Sequence, residues 1–502
     1  MSQAQTFTPN GTNGPVPILI NNTPEISTDT FPVVSSTTSK TIWECTSAST
    51  TLAVRAVNSC ADALPPWSAS KPATRRTILL KAADLLESRI AEGVQALCQE
   101  TGADEGAARG FMLPTAIKLL REIAVQIDGV CGRLVSLGEE GESGIVMKEP
   151  IGVVLGIVAW NAPPIFTVRA AATAIAAGCT TIIKSSEHTP ATVNFVAKAF
   201  YDAGLPAGVF NVIHTRRESA AEVVSAMIKE HAVRKVNFTG SATVGRQIAG
   251  LCGQSLKPCL MELGGKNSAI VCDDAEMDGT GVDTIGEVFR SSFMNSGQIC
   301  MATDKILVHE SIAENFTSQL QSAIEESNKQ GQPTLISPAS KKRVVSLIRD
   351  ALEKGATLIT GFDLSTASEE DIASTKIPIT LLRNMPSTAL AASEEWFAPV
   401  ASIETFKDTQ EAIAIANSAN ANSSLSSAVF TKDLRKALKI AKQLKTGAVH
   451  INGMSIHDDP TIPHGGVGES GWGRFNAREG IEEFFGQQGH YLEGLEAADN
   501  RE

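Results

Sequence analysis

Between residues 152 and 240 the chain alternates short, unbroken apolar runs with longer helix-compatible stretches. The runs are GVVLGIVA (152–159), TTIIKSS (180–186), VFNVIH (209–214) and KVNFTG (235–240). A strand that is wet on one face alternates apolar and polar residues, whereas one that is apolar at successive positions is covered on both faces. Such strands separated by helices predict a parallel, doubly wound sheet of the kind that binds nucleotides at its strand ends.

A second alternating block follows. It holds SAIVCDD (268–274), KILVHE (305–310), a helix over 340–355, then ATLITGF, ASIETF, SAVFT and GAVHIN, and it predicts another α/β domain. Ahead of the first block, Ile78, Leu79, Ala82, Leu85, Leu86, Ile90, Val94 and Leu97 recur at helical spacing from Thr74. A further helix is expected from Pro114 to Ile127, with the proline in its first turn. The polar, glycine-broken stretch 135–150 reads as a projecting hairpin, and residues 1–17, rich in Gln, Thr, Asn, Gly and Pro, as a disordered leader.

Composition excludes several classes. A net charge of −12 leaves no general basic face for nucleic acid or anionic membrane. The longest apolar run, Ile151 to Trp160, is too short to span a bilayer. Nine cysteines, with no Cys-x-x-Cys pair, fit neither a disulfide framework nor a zinc site, so no metal is expected. The first basic residue is Lys40, so no basic targeting segment is evident and a cytoplasmic location is expected.

Two phosphate-like motifs carry little. Gly466-Val-Gly468-Glu-Ser-Gly471 has dinucleotide-fingerprint spacing but follows Pro463 and His464 rather than a buried strand. Gly240 to Gly245 has P-loop spacing, yet Arg246 and Gln247 replace the residues that would hold phosphate and magnesium. Its strand-to-helix junction still suits a pyrophosphate, because first-turn amides are free there.

Four stretches matter jointly: Trp160-Asn161-Ala-Pro-Pro, Met261-Glu262-Leu-Gly-Gly-Lys-Asn, Phe293-Met-Asn-Ser-Gly-Gln-Ile-Cys300-Met and Glu394-Glu395-Trp-Phe397-Ala-Pro. Singly, each reads as a turn, a loop end or a buried thiol. Their order and content resemble the aldehyde dehydrogenase superfamily from about residue 18 to 490. The resemblance implies that Asn161, Glu262 and Cys300 converge. Cys300 would supply the thiolate nucleophile, Asn161 an oxyanion donor and Glu262 the base that activates water.

By the same resemblance, Lys184, Ser186 and Glu187 would hold the adenosine ribose, and Gly240, Ser241 and Gly245 the pyrophosphate. Glu395 and Phe397 would clamp the nicotinamide ribose, with Ile157 and Trp160 lining the cleft. A carboxylate at Glu187 disfavours a 2′-phosphate and points to NAD, while Arg216-Arg217 on the adenosine side leaves NADP open.

The implied fold is a Rossmann-like cofactor domain (18–134 and 151–263) and a second α/β catalytic domain (264–474). Oligomerisation segments (135–150 and 475–502) would pair copies as a homodimer or homotetramer. Departures from the family pattern are Ala398 for Gly, Ser423-Ser424 for Tyr-Gly, and Gly468 for Lys.

His457-Asp-Asp-Pro and Pro463-His-Gly-Gly-Val, with Ser-Gly-Trp-Gly-Arg-Phe475, look most like the salicylaldehyde, vanillin and benzaldehyde dehydrogenases. An aromatic aldehyde is therefore the expected substrate, with Phe111, Phe166, Arg169, Ile299, Met301, His457 and Phe475 as pocket candidates. Arg169 is expected either at the pocket mouth, attracting a phenol or carboxylate, or in a salt bridge inside the sheet–helix layer. Rival readings are a CoA-acylating dehydrogenase, which Glu262 disfavours, and a cysteine hydrolase or acyltransferase. The latter needs a histidine beside Cys300, and none of the eight lies in the four stretches.

Overall fold

The computed structural model describes residues 14–138, 142–279, 281–418 and 423–492. At the centre of the first sheet is Val153–Ile157, with Thr180–Lys184 and then Phe210–Ile213 on one side and Val233–Gly240 and Cys259–Leu263 on the other. These five strands are parallel. Short antiparallel strands close both edges, Ile18–Ile20 with Thr23–Glu25 at one and Gly471–Trp472 at the other. The chain reverses its direction of winding between Val153–Ile157 and Val233–Gly240, which opens a crevice at the carboxyl ends of those strands.

The second sheet has seven strands, all parallel except Thr357–Thr360 at its edge. The two sheets divide between Leu263 and Ser268. Apolar side chains lie on both faces of each, as the unbroken runs require; Leu155, Ile182, Val212 and Val236 are fully buried. Burying one such side chain stabilises the fold by about 1.5–3 kcal/mol.

The stretch expected as a hairpin contributes to a three-stranded sheet in which Ser143–Pro150 lies between Arg133–Ser136 and Phe485–Leu492, while its residues 139–141 lie outside the described residues. The helix expected from Thr74 is two helices, Pro72–Ser88 and Ile90–Thr101, broken where Arg89 leaves helical geometry. An unanticipated helix, Thr50–Ser68, accommodates Pro65 and Pro66 in its last turn. Of the expected leader, residues 1–13 lie outside the described residues. Its end is packed: Val16 is fully buried, and the Pro17 carbonyl accepts from Asn194 and His214.

Candidate active site

Gly297 sets the path of the chain into Cys300. Asn295, Ser296 and Gly297 all have positive φ. A Cβ at Gly297 would lie 2.1 Å from the Ala398 carbonyl oxygen, so only glycine passes there. Gln298 then anchors the loop, accepting from the Ile336 amide at 2.9 Å and donating to the Thr334 carbonyl at 3.2 Å. Asn267 donates to the Cys300 carbonyl at 2.8 Å. The thiol is thereby presented between the two sheets.

Asn161, at the start of the Pro163–Ala177 helix, donates through Nδ2 to the Gln298 carbonyl at 3.0 Å. Glu262, near the end of its strand, is 1% exposed. Cys300 Sγ lies 3.4 Å from Glu262 Oε1. Of the three residues expected to converge, Glu262 meets Cys300 directly and Asn161 bonds the loop two residues before it.

Glu262 has more company than the motifs implied. Arg169 Nη1 donates to Glu262 Oε2 at 2.8 Å, and Arg169 Nη2 to Asp458 Oδ2. His464 Nε2 lies 3.5 Å from Glu262 Oε1, and its Nδ1 lies 3.7 Å from Asp458 Oδ1. Burial alone would raise the Glu262 carboxyl, but Arg169 and then His464 and Cys300 outweigh it and hold the group at about 2. Burial, reinforced by Glu262 and Glu395, pushes the Cys300 thiol well above its ordinary range. The resting arrangement is a neutral thiol facing a carboxylate.

Arg169 is 2% exposed, with its guanidinium 5.8 Å from the Phe166 ring centre and 5.3 Å from that of Phe475. It is not at a pocket mouth; an exposed position would forfeit both carboxylates and both ring faces. Phe166 and Phe475 accordingly pack against Arg169. His457 is exposed against His450. Phe111, Ile299 and Met301 do gather with Cys300, beside Met294, Met454 and Ile456.

The expected cofactor residues lie along the crevice. Ile157, Lys184 and Gly240 end adjacent parallel strands, and Ser241 caps the Ala242–Gln254 helix, its hydroxyl accepting from the Val244 amide. Gly245, in that helix's first turn, packs where a Cβ would meet the Leu263 side chain at 2.7 Å. Ser186 donates to Glu187 at 3.3 Å. Trp160 meets Phe397 edge-on at 5.7 Å, and a burial-raised Glu395 carboxyl, at about 8, lies against Gly264. These features fit a dinucleotide, with free helix amides for a pyrophosphate and carboxyls for ribose hydroxyls. Arg216 is tied to Asp29 and the Thr30 carbonyl, which leaves Arg217 as the exposed cation of that pair.

The model of the aldehyde dehydrogenase family matches residues 23–488. This chain belongs to that family. As an aldehyde dehydrogenase it uses a nicotinamide cofactor. It is 33% identical to salicylaldehyde dehydrogenase of Pseudomonas putida over 480 residues, covering 93% of this chain and 96% of the relative. It is 36% identical to vanillin dehydrogenase of Pseudomonas sp. (strain HR199 / DSM 7063) over 479 residues, with the same coverage. The solved salicylaldehyde dehydrogenase from Pseudomonas putida G7 complexed with salicylaldehyde superposes with a TM-score of 0.89 at 32% identity, over 96% of this chain and 98% of that one. Betaine aldehyde dehydrogenase from Staphylococcus aureus in complex with NAD+ gives 0.89 at 26% identity over 96% of each.

Asp458 and His464 were missed in this dehydrogenase by sequence reasoning, although both stand in the stretches that suggested the substrate. His457 drew attention there. Which neighbour turns inward depends on the loop, and Asn476 donating to Asp458 Oδ1 helps decide it. Among the described residues no helix is long and apolar enough to cross a membrane, and no cluster suits a metal ion.

Proposed function

We propose that this enzyme oxidises an aromatic aldehyde to its carboxylic acid, with NAD as oxidant, through a thioester on Cys300. The observation that carries the reading is the 3.4 Å approach of Cys300 Sγ to Glu262 Oε1, on a loop that Asn161 bonds at the Gln298 carbonyl. Glu262 takes the thiol proton as sulfur adds to the carbonyl carbon. The resulting oxyanion is received by Asn161 Nδ2 and the Cys300 amide; one such donor is worth roughly 3–4 kcal/mol. A nicotinamide held by Glu395 and Phe397 would supply the hydride acceptor that turns this adduct into the thioester. Glu262, free again, deprotonates the water that opens the thioester.

An aromatic substrate is supported by Phe111, Ile299, Met301 and Met454 around the thiol, and by the salicylaldehyde and vanillin dehydrogenases among the relatives. Glu187 supports NAD, since its carboxylate would repel a 2′-phosphate. Lys184, Ser186, Ser241, Glu395 and Phe397 would hold the rest of the cofactor. We assign the enzyme to the cytoplasm, where nine free thiols are stable.

Absorbance near 340 nm with NAD and a panel of short-chain, long-chain and aromatic aldehydes tests the reading. Cys300→Ala is expected to abolish NADH formation. Glu262→Gln should form NADH slowly, to no more than one per site, and then stall at the thioester. Faster turnover of aliphatic than aromatic aldehydes would overturn the substrate assignment.

A further inference from the structure

Glu262, Arg169, Asp458 and His464 form a closed ring of buried charge. Arg169 bridges the two carboxylates on one side. His464 lies between the same two on the other, 3.5 Å from Glu262 and 3.7 Å from Asp458. Glu262 Oε1, the oxygen nearest His464, is also the oxygen 3.4 Å from Cys300 Sγ. His464 is 7% exposed, and its Nε2 makes no hydrogen bond of good geometry to any protein group.

We propose that His464 is the final acceptor of the Cys300 proton, which reaches it through Glu262, with Asp458 and Arg169 as positioning residues. This rests on Cys300 being the nucleophile. The S–H bond breaks, its electron pair stays on sulfur as thiolate, and the proton passes to Glu262 Oε1. That O–H bond then breaks as the N–H bond forms at His464 Nε2, so the step is a proton transfer without change of oxidation state.

The ring explains why an imidazole is needed. A carboxylate held near 2 by Arg169 is a weak base and retains a proton only briefly. Burial pushes the His464 imidazole below its ordinary value, with Glu262 opposing and Arg169 reinforcing, so it rests neutral. Each ring nitrogen faces a carboxylate, Nδ1 that of Asp458 and Nε2 that of Glu262, so an imidazolium here has an anionic partner for each of its two N–H groups. Two carboxylates and one guanidinium around a neutral imidazole carry one negative charge, and a proton on His464 cancels it. The groups facing His464 are Glu262, Arg169, Asp458 and, more distantly, Arg474 and His450; those facing Cys300 are Glu262, Glu395 and Arg169. An imidazolium one residue behind the carboxylate stabilises the thiolate.

The test reads the thiol without cofactor or aldehyde. The full chain is treated with iodoacetamide between pH 6 and 10, and the Cys300 peptide is followed by mass spectrometry. His464→Gln is expected to slow Cys300 alkylation at pH 7 by about tenfold or more and to move the rate midpoint upward. The exposed Cys131 should react at its unchanged rate, and buried Cys60 and Cys179 should stay unlabelled, as in a folded chain.

A Cys300 curve that overlays the unsubstituted protein's would overturn the inference. If His464→Gln labels its buried cysteines, carbon-labelled histidine NMR on the unsubstituted chain decides. The His464 titration should shift once Cys300 is alkylated, and an unmoved midpoint overturns the relay. Failure of the unsubstituted enzyme to make NADH from any aldehyde would instead sink the proposed function, since alkylation does not depend on turnover.

Discussion

Glu262 can be both buried and charged only because Arg169 lies 2.8 Å away. Its folded value of about 2, against an ordinary 4.5, means that the native state releases this proton more readily than the unfolded chain. The pairing therefore stabilises the fold by about 3 kcal/mol above pH 5 and loses that contribution as pH falls from about 4.5 to 2. Urea unfolding at stepped pH should show the stability gap between the unsubstituted enzyme and Glu262→Gln shrinking across that window. Arg169→Leu removes the shared partner of two buried carboxylates and is expected to cost roughly 3–5 kcal/mol, read as a lowered Tm. Because Arg169 faces Glu262 rather than substrate, any residual activity should keep the same KM ratio between hydroxylated and plain benzaldehyde. A changed ratio would restore the pocket-mouth role. Cys300, Glu262 and Asn161 were legible as residues because each lies in a short stretch of distinctive chemistry. Arg169 was legible only as an odd charge in an apolar helix, since one of its partners is 289 positions away.

At the scale of elements, the loop through Gly297 couples backbone conformation to the reacting sulfur. Gly297→Ala meets both a φ of +65° and the Ala398 carbonyl at 2.1 Å. The left-handed conformation alone costs about 1–2 kcal/mol, and displacing the loop by roughly 1 Å can cost about a hundredfold in rate. The expected result is a kcat down about a hundredfold with Cys300 still present, checked by steady-state kinetics beside a thermal melt. Buried parallel strands were readable because their apolar runs have no solvent face. Thr50–Ser68 was not, because a Pro-Pro pair signals a break, and only its place in the last turn makes it tolerable. The break at Arg89 was hidden for a related reason: helical spacing continues through it, so periodicity alone cannot register a change of direction.

For the whole molecule, one face of the three-stranded sheet leaves Leu134 75%, Met147 46% and Ile145 36% exposed. Apolar side chains grouped on one thin sheet mark an association surface, which we propose joins copies of this chain. Ile145→Glu together with Met147→Glu is expected to shift the light-scattering mass of the eluting species to a smaller assembly. An unchanged mass would remove this sheet as the interface. By itself the sequence determined the buried parallel strands of the two sheets and the order of the motifs, because strand burial and short-range motifs are local properties. Only the tertiary structure decided that Arg169 turns inward and that Asp458 and His464 close a ring around Glu262. Those contacts join a helix, a strand and a distant loop, and whether such a charge is exposed or paired depends on what the fold places opposite it.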